Sequence, residues 1–371
     1  MFIRPITSQD LPILERMAQE SGPGFTSLAG DRDALARRIA RSEASFRRPV
    51  SSPGDEGYLF VLEDHQTGDI MGVTGIEAAV GRQQPLYHFQ RQPALADRPG
   101  LRQEVLTASR AYTGCSEICT LFLRPQFRRQ NAGKLLSRVR FLFMAQHPQR
   151  FAERVIAEMR GVNEAGRSPF WDWLRPRFID LDFETVTRRM GAGDCRFVTE
   201  HLPTGPLPIR SMPASARAVI GQVHPRTRPA LRLLEDENFR HTGFVDLFDA
   251  GPTVEARLAQ IRSVAESTPC WVRTSSAGRP GLARIGQTPS PTLYAVCNSR
   301  CDGFRALVTD EATYLPGANL LQLPQALADR LQVEDGGTAR VVPLAATRQA
   351  PWQPQRLHPN DQAEEVRHAF R

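Results

Sequence analysis

Residues Ser116 to Phe143 read SEICTLFLRPQFRRQNAGKLLSRVRFLF, and the fold of the chain turns on them. Ile118 to Leu123 is an apolar run of the length of a buried strand. A short turn follows, carrying Arg128, Arg129, Gln130, Asn131, Ala132 and Gly133. Beyond it Leu135, Leu136, Val139, Phe141, Leu142 and Phe143 recur with helical spacing. A strand that feeds a small-residue, arginine-bearing turn and then a helix outlines a pyrophosphate cradle. The amides of the first helical turn and the positive end of the helix dipole point at one spot. Small residues admit phosphates close to the backbone, and arginines add charge-assisted hydrogen bonds. An ordinary strand, turn and helix with an arginine-rich surface remains the plainer alternative at this point.

Working outward, Phe2 to Pro5 reads as a strand. Ser8 and Asp10 then stand as caps before the periodic Leu11, Ile13, Leu14 and Met17. Ser21 to Leu28 breaks that helix and a second follows from Asp31 to about Ala44. Residues 48–56 are a loop. Tyr58 to Glu63 and Ile70 to Ala79 alternate like paired strands joined through His65 to Gly68. Residues 83–113 look irregular, a long insertion. After the cradle helix, Val155 to Arg160 is a strand, Ser168 to Leu174 a short aromatic helix and Phe178 to Phe183 a strand. Val219 to His224, Thr227 to Glu237 and Phe239 to Phe248 repeat that order as strand, helix, strand. From Pro269 the texture changes to short apolar runs between turns, and 319–342 reads strand, helix, Asp-Gly turn, strand, like the half-repeat of a small double-psi β-barrel. Residues 346–371 read as a frayed tail.

At 371 residues, 41% hydrophobic and 23% charged, the chain has a globular composition large enough for more than one lobe. It has no run of 18 apolar residues and no leader-like start, so the expected location is the cytoplasm. The net charge of +7 comes from scattered arginines; Lys134 is the sole lysine. Without a dense basic block or a nucleic-acid-binding module, an anionic small ligand accounts for the excess, and neither nucleic acid nor membrane is expected as a partner. The six cysteines show no Cys-x-x-Cys spacing and no accompanying histidine cluster, which argues for idle thiols rather than a metal site.

The turn Arg128-x-x-Asn131-x-Gly133 resembles the acyl-CoA loop of the GCN5-related N-acetyltransferase superfamily, with Asn131 where a glycine is usual. Further runs narrow the likeness. Gly24-Phe-Thr-Ser-Leu28, Val61-Leu-Glu-Asp64, Glu117-Ile-Cys-Thr-Leu-Phe-Leu123 and Ala157-Glu-Met-Arg-Gly-Val162 occur in order along the chain. So do Ser168-Pro-Phe-Trp171, Val219-Ile-Gly-Gln-Val-His-Pro225 and Phe248-Asp-Ala-Gly-Pro252. Together they are similar to the signature runs of bacterial arginine N-succinyltransferases over residues 2 to about 265. The resemblance implies an α/β (α+β) acyltransferase with a mixed, splayed sheet flanked by helices. Residues 1–265 would form the transferase domain, with a core of 1–190 and an extension of 191–265. Residues 266–345 would form a small β-barrel-like module. It implies transfer of the succinyl group of succinyl-CoA to the α-amine of L-arginine, the first step of arginine catabolism. No cofactor or metal is implied beyond the co-substrate, and the chains of such a family associate as homo- or hetero-oligomers.

The resemblance assigns the histidine at His224 as a proton donor. An imidazole titrates near neutrality and serves an amine that must lose a proton or a thiolate that must gain one; a lone histidine would otherwise read as a satisfied core residue. It places an acyl-CoA contact at Leu121. Leu121 and Leu123 lie on a strand whose free backbone groups would pair with the pantetheine arm, although both side chains suit a plain core. Arg128, Arg129, Asn131 and Gly133 would hold the phosphates. Glu117 and Glu158 are strand-borne carboxylates suited to an arginine ligand, with a Glu158–Arg160 salt bridge as an equal account of Glu158. Arg160 would otherwise take the succinyl carboxylate. Thr26 and Ser27 sit in a loop expected to grip the acceptor, where Pro23 replaces a glycine. Ornithine or another amine as acceptor, and a non-catalytic acyl-CoA-binding sensor or subunit, are the alternatives. No serine or cysteine lies in a nucleophile elbow, so transfer is direct.

Overall fold

The computed structural model describes residues 1–22, 28, 31–83, 85–95, 102–128, 131–164, 166–191, 194–275 and 292–344. The expected tail, 346–371, lies outside them. The first strands and helices are β1 (Phe2–Pro5), α1 (Leu11–Ser21), α2 (Arg32–Arg47), β2 (Gly57–Glu63) and β3 (Ile70–Glu77). Asp31 starts α2 by accepting the Ala34 N–H at 2.8 Å, the capping its sequence position promised. Strands β2 and β3 pair antiparallel as their alternation required.

The stretch taken as an irregular insertion is instead a hairpin, β4 (His88–Leu95) and β5 (Arg102–Ser109), paired over its full length. Pro93 and the run of glutamines and arginines hid it, because a ribbon whose outer partner is only the two-residue β8 (Leu207–Pro208) tolerates both. Next come β6 (Ser116–Leu123), α3 (Ala132–Gln146) and β7 (Arg154–Glu158). Helix α3 is buried on nearly every side, which is why its apolar residues exceed one stripe.

The extension departs from the sequence reading twice. Residues 178–183 form no strand: α4 (Pro169–Phe178) runs to Phe178, and α5 (Phe183–Gly191) begins where Asp182 accepts the Thr185 N–H at 2.8 Å. Residues 219–224 form no strand either. Pro213 opens the helix α7 (Ala214–Val219), which follows α6 (Arg196–His201), and Gly221, at φ 71°, turns the chain out of it. One isolated bridge, Gly161 to Val223, is what remains of the expected pairing. The repeated strand, helix, strand unit is therefore absent. Then follow α8 (Arg228–Glu235), β9 (Arg240–Val245), β10 (Pro252–Arg257) and α9 (Arg262–Ala265).

The last part holds β11 (Thr268–Ser275), β12 (Tyr294–Asn298), β13 (Ala306–Thr309), β14 (Thr313–Leu315), β15 (Leu320–Pro324), α10 (Gln325–Leu331) and β16 (Thr338–Pro343). The sixteen strands of the described residues belong to one sheet in the order β14-β15-β11-β16-β12-β13-β1-β2-β3-β6-β7-β10-β9-β4-β5-β8. The C-terminal strands join it through β13 on β1, with Ile3 opposite Ala306. Most pairs are antiparallel; β6 with β7 and β11 with β15 run parallel. Phe304 packs into the aromatic cluster of Phe46, Phe60 and Phe143, with ring centroids 5.6 Å from Phe60 and 5.1 Å from Phe143.

One buried ionic cluster ties these layers together. Glu237, 1% exposed, accepts from Arg138 Nε (3.0 Å), Arg262 Nη2 (2.8 Å), the Ser263 N–H (2.6 Å) and Ser263 Oγ (2.8 Å). Arg138 also donates to the Leu344 carbonyl.

Candidate acyl-transfer site

The site begins where β6 leaves β7. From Glu117 opposite Glu77 to Leu123 opposite Gly72, β6 pairs with β3, with an irregularity near Thr120, whose φ is 56°. Gly72 lets that strand lie close: a Cβ there would stand 2.6 Å from the Phe122 carbonyl oxygen. With β7, by contrast, β6 pairs only at Ser116 and Glu117. Beyond Glu117 the two strands part, leaving the strand of Leu121 and Leu123 without a β7 partner, the splay the sequence reading expected. A free strand edge can accept an extended amide-bearing ligand as another strand.

At the far end of β6 the helix α3 starts. Its first amides have no carbonyl inside the helix; Leu135 donates to the Asn131 carbonyl at 2.9 Å. Asn131 has φ −97°, so the position demands no left-handed residue and asparagine stands without strain where a glycine is usual. A Cβ on Gly133 would meet nothing nearer than Leu123 Cδ2 at 3.9 Å, leaving the helix start open. Arg128 is exposed, and its Nε donates to the Leu123 carbonyl at 3.1 Å. Arg129, Thr26 and Ser27 lie outside the described residues.

Three of the quoted runs converge at the end of β7. Asp249 accepts the N–H groups of Gly161 (2.7 Å) and Gly251 (2.8 Å), and Asp246 accepts those of Phe248 (2.7 Å) and Asp249 (2.9 Å). The His224 N–H donates to the Arg160 carbonyl at 2.9 Å and the Gly221 N–H to that of Ala250 at 2.8 Å. The loop of His224 is thus docked on the Phe248–Pro252 turn by its backbone. Ser168 Oγ, bonded to the Phe248 carbonyl at 3.2 Å, brings in α4 as well. The approach is close: a Cβ on Gly251 would fall 2.1 Å from the Met159 carbonyl oxygen and 2.5 Å from the Gly161 nitrogen. Gly251→Ala is expected to cost about 1–3 kcal/mol or more. An unchanged thermal midpoint would contradict this docking.

His224 caps a 3-10 turn, Pro225–Thr227, instead of ending a strand. Its Nδ1 accepts the Arg226 N–H at 3.1 Å, which puts the hydrogen of the neutral ring on Nε2. Burial, with Arg160 and Arg226 beside it, pulls its pKa below the usual histidine value. The half-exposed ring therefore offers Nε2–H as a donor. It lines a cleft of about 340 Å³ together with Val162, Asn163, Glu164, Gln222 and Arg228.

Arg160 lies just past β7. Its Nη2 donates to Asn163 Oδ1 at 2.5 Å, and its Nε is buried without a hydrogen-bond partner. The expected Glu158–Arg160 bridge is not among the ion pairs of the described residues; Glu158 Oε1 faces His88 Nε2 at 2.7 Å instead. Burial, then Glu158 and then Glu77, pushes the Glu117 carboxyl well above the ordinary range, against the pull of Arg38. Sequence reading missed His88, Asn163 and Asp249. Asp249 lay inside a quoted run, whereas His88 sat in the unrecognised hairpin and had no signal.

The residues thus fall into two groups on either side of the splay: Leu121, Leu123, Arg128, Asn131 and Gly133 at one end, and Glu158, Arg160 and His224 at the other. Glu117 stands at the parting. Val223 packs against the same apolar core as Leu121 and Leu123. Among the described residues no group of three or more His, Cys, Asp or Glu could hold a metal ion, and no helix is long and apolar enough to cross a membrane.

Residues 1–263 match the family described as arginine N-succinyltransferase beta subunit, and residues 282–343 match its C-terminal domain. An arginine N-succinyltransferase of Yersinia pseudotuberculosis is 38% identical over 351 residues, 93% of this chain and 98% of the relative. The arginine N-succinyltransferase subunit beta of Pseudomonas aeruginosa is 37% identical, over 93% and 99%. A solved structure, that of arginine/ornithine succinyltransferase subunit AI from Pseudomonas aeruginosa, superposes with a TM-score of 0.82 at 32% identity. The match covers 93% of this chain and 99% of that one.

Proposed function

This chain belongs to the arginine N-succinyltransferase beta subunit family, and on that footing we propose that it transfers the succinyl group of succinyl-CoA to the α-amine of L-arginine. The products are N2-succinylarginine and CoA. The observation that carries the reading is the gap between β6 and β7, with an open helix start at one end and the cleft of His224 at the other.

In this reading the pantetheine arm lies along the free edge of β6 at Leu121 and Leu123. The phosphates meet the first amides of α3 with Arg128, Arg129, Asn131 and Gly133 around them. The thioester carbon then sits near the parting, and the amine attacks it directly. The C–S bond breaks as the N–C bond forms. His224 serves as the acid/base at the sulfur: its Nε2–H bonds the thiolate as the C–S bond breaks, and the proton that the nitrogen gives up is passed to that sulfur. Holding both substrates in line supplies most of the rate, and no metal or further cofactor enters. Glu117 and Glu158 face the acceptor, and Thr26 and Ser27 count among its contacts in this reading.

Arg160, with a buried donor unpartnered, receives the succinyl carboxylate. Arg160→Ala is expected to raise the KM for succinyl-CoA about 10- to 100-fold while leaving that for acetyl-CoA little changed. An unchanged preference between the two donors would remove Arg160 from the site.

A thiol-release assay with succinyl-CoA and L-arginine tests the whole reading, and silence with every amine would overturn it. Ornithine belongs in the acceptor panel because the structural relative is named for both amino acids. A second, related chain belongs beside this one in the assay, because relatives are named as subunits. Six unpaired cysteines fit a reducing compartment, and we place the enzyme in the cytoplasm.

A further inference from the structure

The hairpin β4–β5 brings one more side chain to the parting of β6 and β7. His88 opens β4 and is 1% exposed. Tyr112 closes over it edge-on, with ring centroids 5.0 Å apart. His88 Nε2 lies 2.7 Å from Glu158 Oε1 but without the alignment of a hydrogen bond, and Nδ1 has no hydrogen-bond partner among the described residues. A buried polar group left short of partners costs about 1–3 kcal/mol, so packing alone gives no reason for an imidazole here.

The charges around it give one. Asp246, on the turn after β9, lies near enough to feel both His88 and Glu158, and Asp249 stands behind Asp246. Glu158 acts in turn on Glu117, which is also faced by Glu77 of β3 and Arg38 of α2, with the Cys119 thiol nearby. Arg38 is already 3.7 Å from Glu77. Tyr112 offers His88 no help, because its hydroxyl donates to Glu255 at 2.5 Å. His88 is thus the imidazole placed against Glu158, with Asp246 near enough to act on both.

We propose that His88 is a positioning residue of the acyl-transfer site: its Nε2, 2.7 Å from Glu158 Oε1, holds the Glu158 carboxylate in place and shields it from Glu117, so that Glu117 can accept the proton of the incoming α-ammonium. The inference rests on the succinyl-transfer reading above. The ammonium gives one proton to Glu117, which later releases it to solvent. The free amine attacks the thioester, the C–S bond breaks, and the second nitrogen proton reaches the sulfur by way of His224.

The sign of the test follows from Coulomb's law. Without His88 the Glu158 carboxylate is no longer shielded, and Glu117 holds its proton to higher pH. The ascending limb of kcat/KM for succinyl transfer to L-arginine should then move up by about one pH unit in His88→Asn. The double variant His88→Asn/Glu158→Gln should return that limb to the wild-type position or below it, an outcome that a merely structural histidine would not give. Glu158→Gln alone should lower the limb, which keeps the test open if His88→Asn does not fold. A limb unmoved in His88→Asn or in Glu158→Gln, or a shift that persists in the double variant, would overturn the proposal. The same shifts should be read without substrate, from carboxyl-carbon NMR titration of protein labelled in glutamate, with the Glu117 signal assigned by Glu117→Gln. If the wild type releases no CoA with arginine, the proposed reaction fails, while the titration still decides the role of His88.

Discussion

His224→Ala is expected to lower kcat/KM for arginine-dependent CoA release about 10²- to 10⁴-fold, the usual worth of a positioned acid or base. The loss should fall on kcat, because the ring acts on charge that develops only as the C–S bond breaks. Stability should change little: the side chain is half-exposed, and its polar neighbours are backbone groups, the Arg226 N–H and Asn163. His224→Asn is the sharper variant. Asparagine can still cap the 3-10 turn by accepting the same N–H, yet it cannot exchange a proton. If His224→Asn kept wild-type kcat, the imidazole would be a cap and nothing more. Burial and the two arginines pull the pKa of the ring below the usual histidine value, which favours the neutral ring, and the Arg226 N–H on Nδ1 leaves Nε2–H as its donor.

Glu237→Ala is expected to destabilise the protein by about 3–5 kcal/mol, the cost of stripping the partner from a buried ion pair. Two guanidinium groups, those of Arg138 and Arg262, and two donors of Ser263 would lose their acceptor in a place where water does not reach. The midpoint of chemical or thermal unfolding reads the loss, and a change below about 1 kcal/mol would mean that the cluster is solvated or relaxes. Because Arg138 sits on α3, the damage should extend to the helix whose start is proposed to hold the CoA phosphates. A weaker affinity for succinyl-CoA is expected at temperatures where the variant is still folded.

The parts of the chain that could be read in advance are those where local chemistry and tertiary role agree. Helix α2 begins at Asp31 because aspartate caps it, and β6 ends where arginines and small residues replace the apolar run. The two phenylalanine-led segments came out differently. Phe239 to Phe248 does hold a strand, β9, whereas Phe178 ends α4 and Phe183 opens α5, with Asp182 capping the new helix in the gap between them. Composition alone does not separate the two cases. Val219 to Val223 has the β-branched content of a strand, but Gly221 adopts a positive φ and the preceding Ala-Ser-Ala-Arg-Ala has already committed to a helix. The candidate site was legible at His224, Arg160 and Glu117 because they lie in contiguous runs. His88 was not, since its position depends on pairings of β4 with β5 and β9 that no local pattern announces.

The antiparallel contact of Ile3 with Ala306 makes the second residue of the first strand wait for a partner roughly three hundred residues further along. During synthesis the amino-terminal half can collapse onto α3, but one edge of β1 stays bare until β13 has emerged. Contacts of such sequence separation are slow to form, and an uncovered strand edge meanwhile invites pairing with another chain. Chains released early, before β13, should therefore be found in aggregates rather than as shortened, working enzymes.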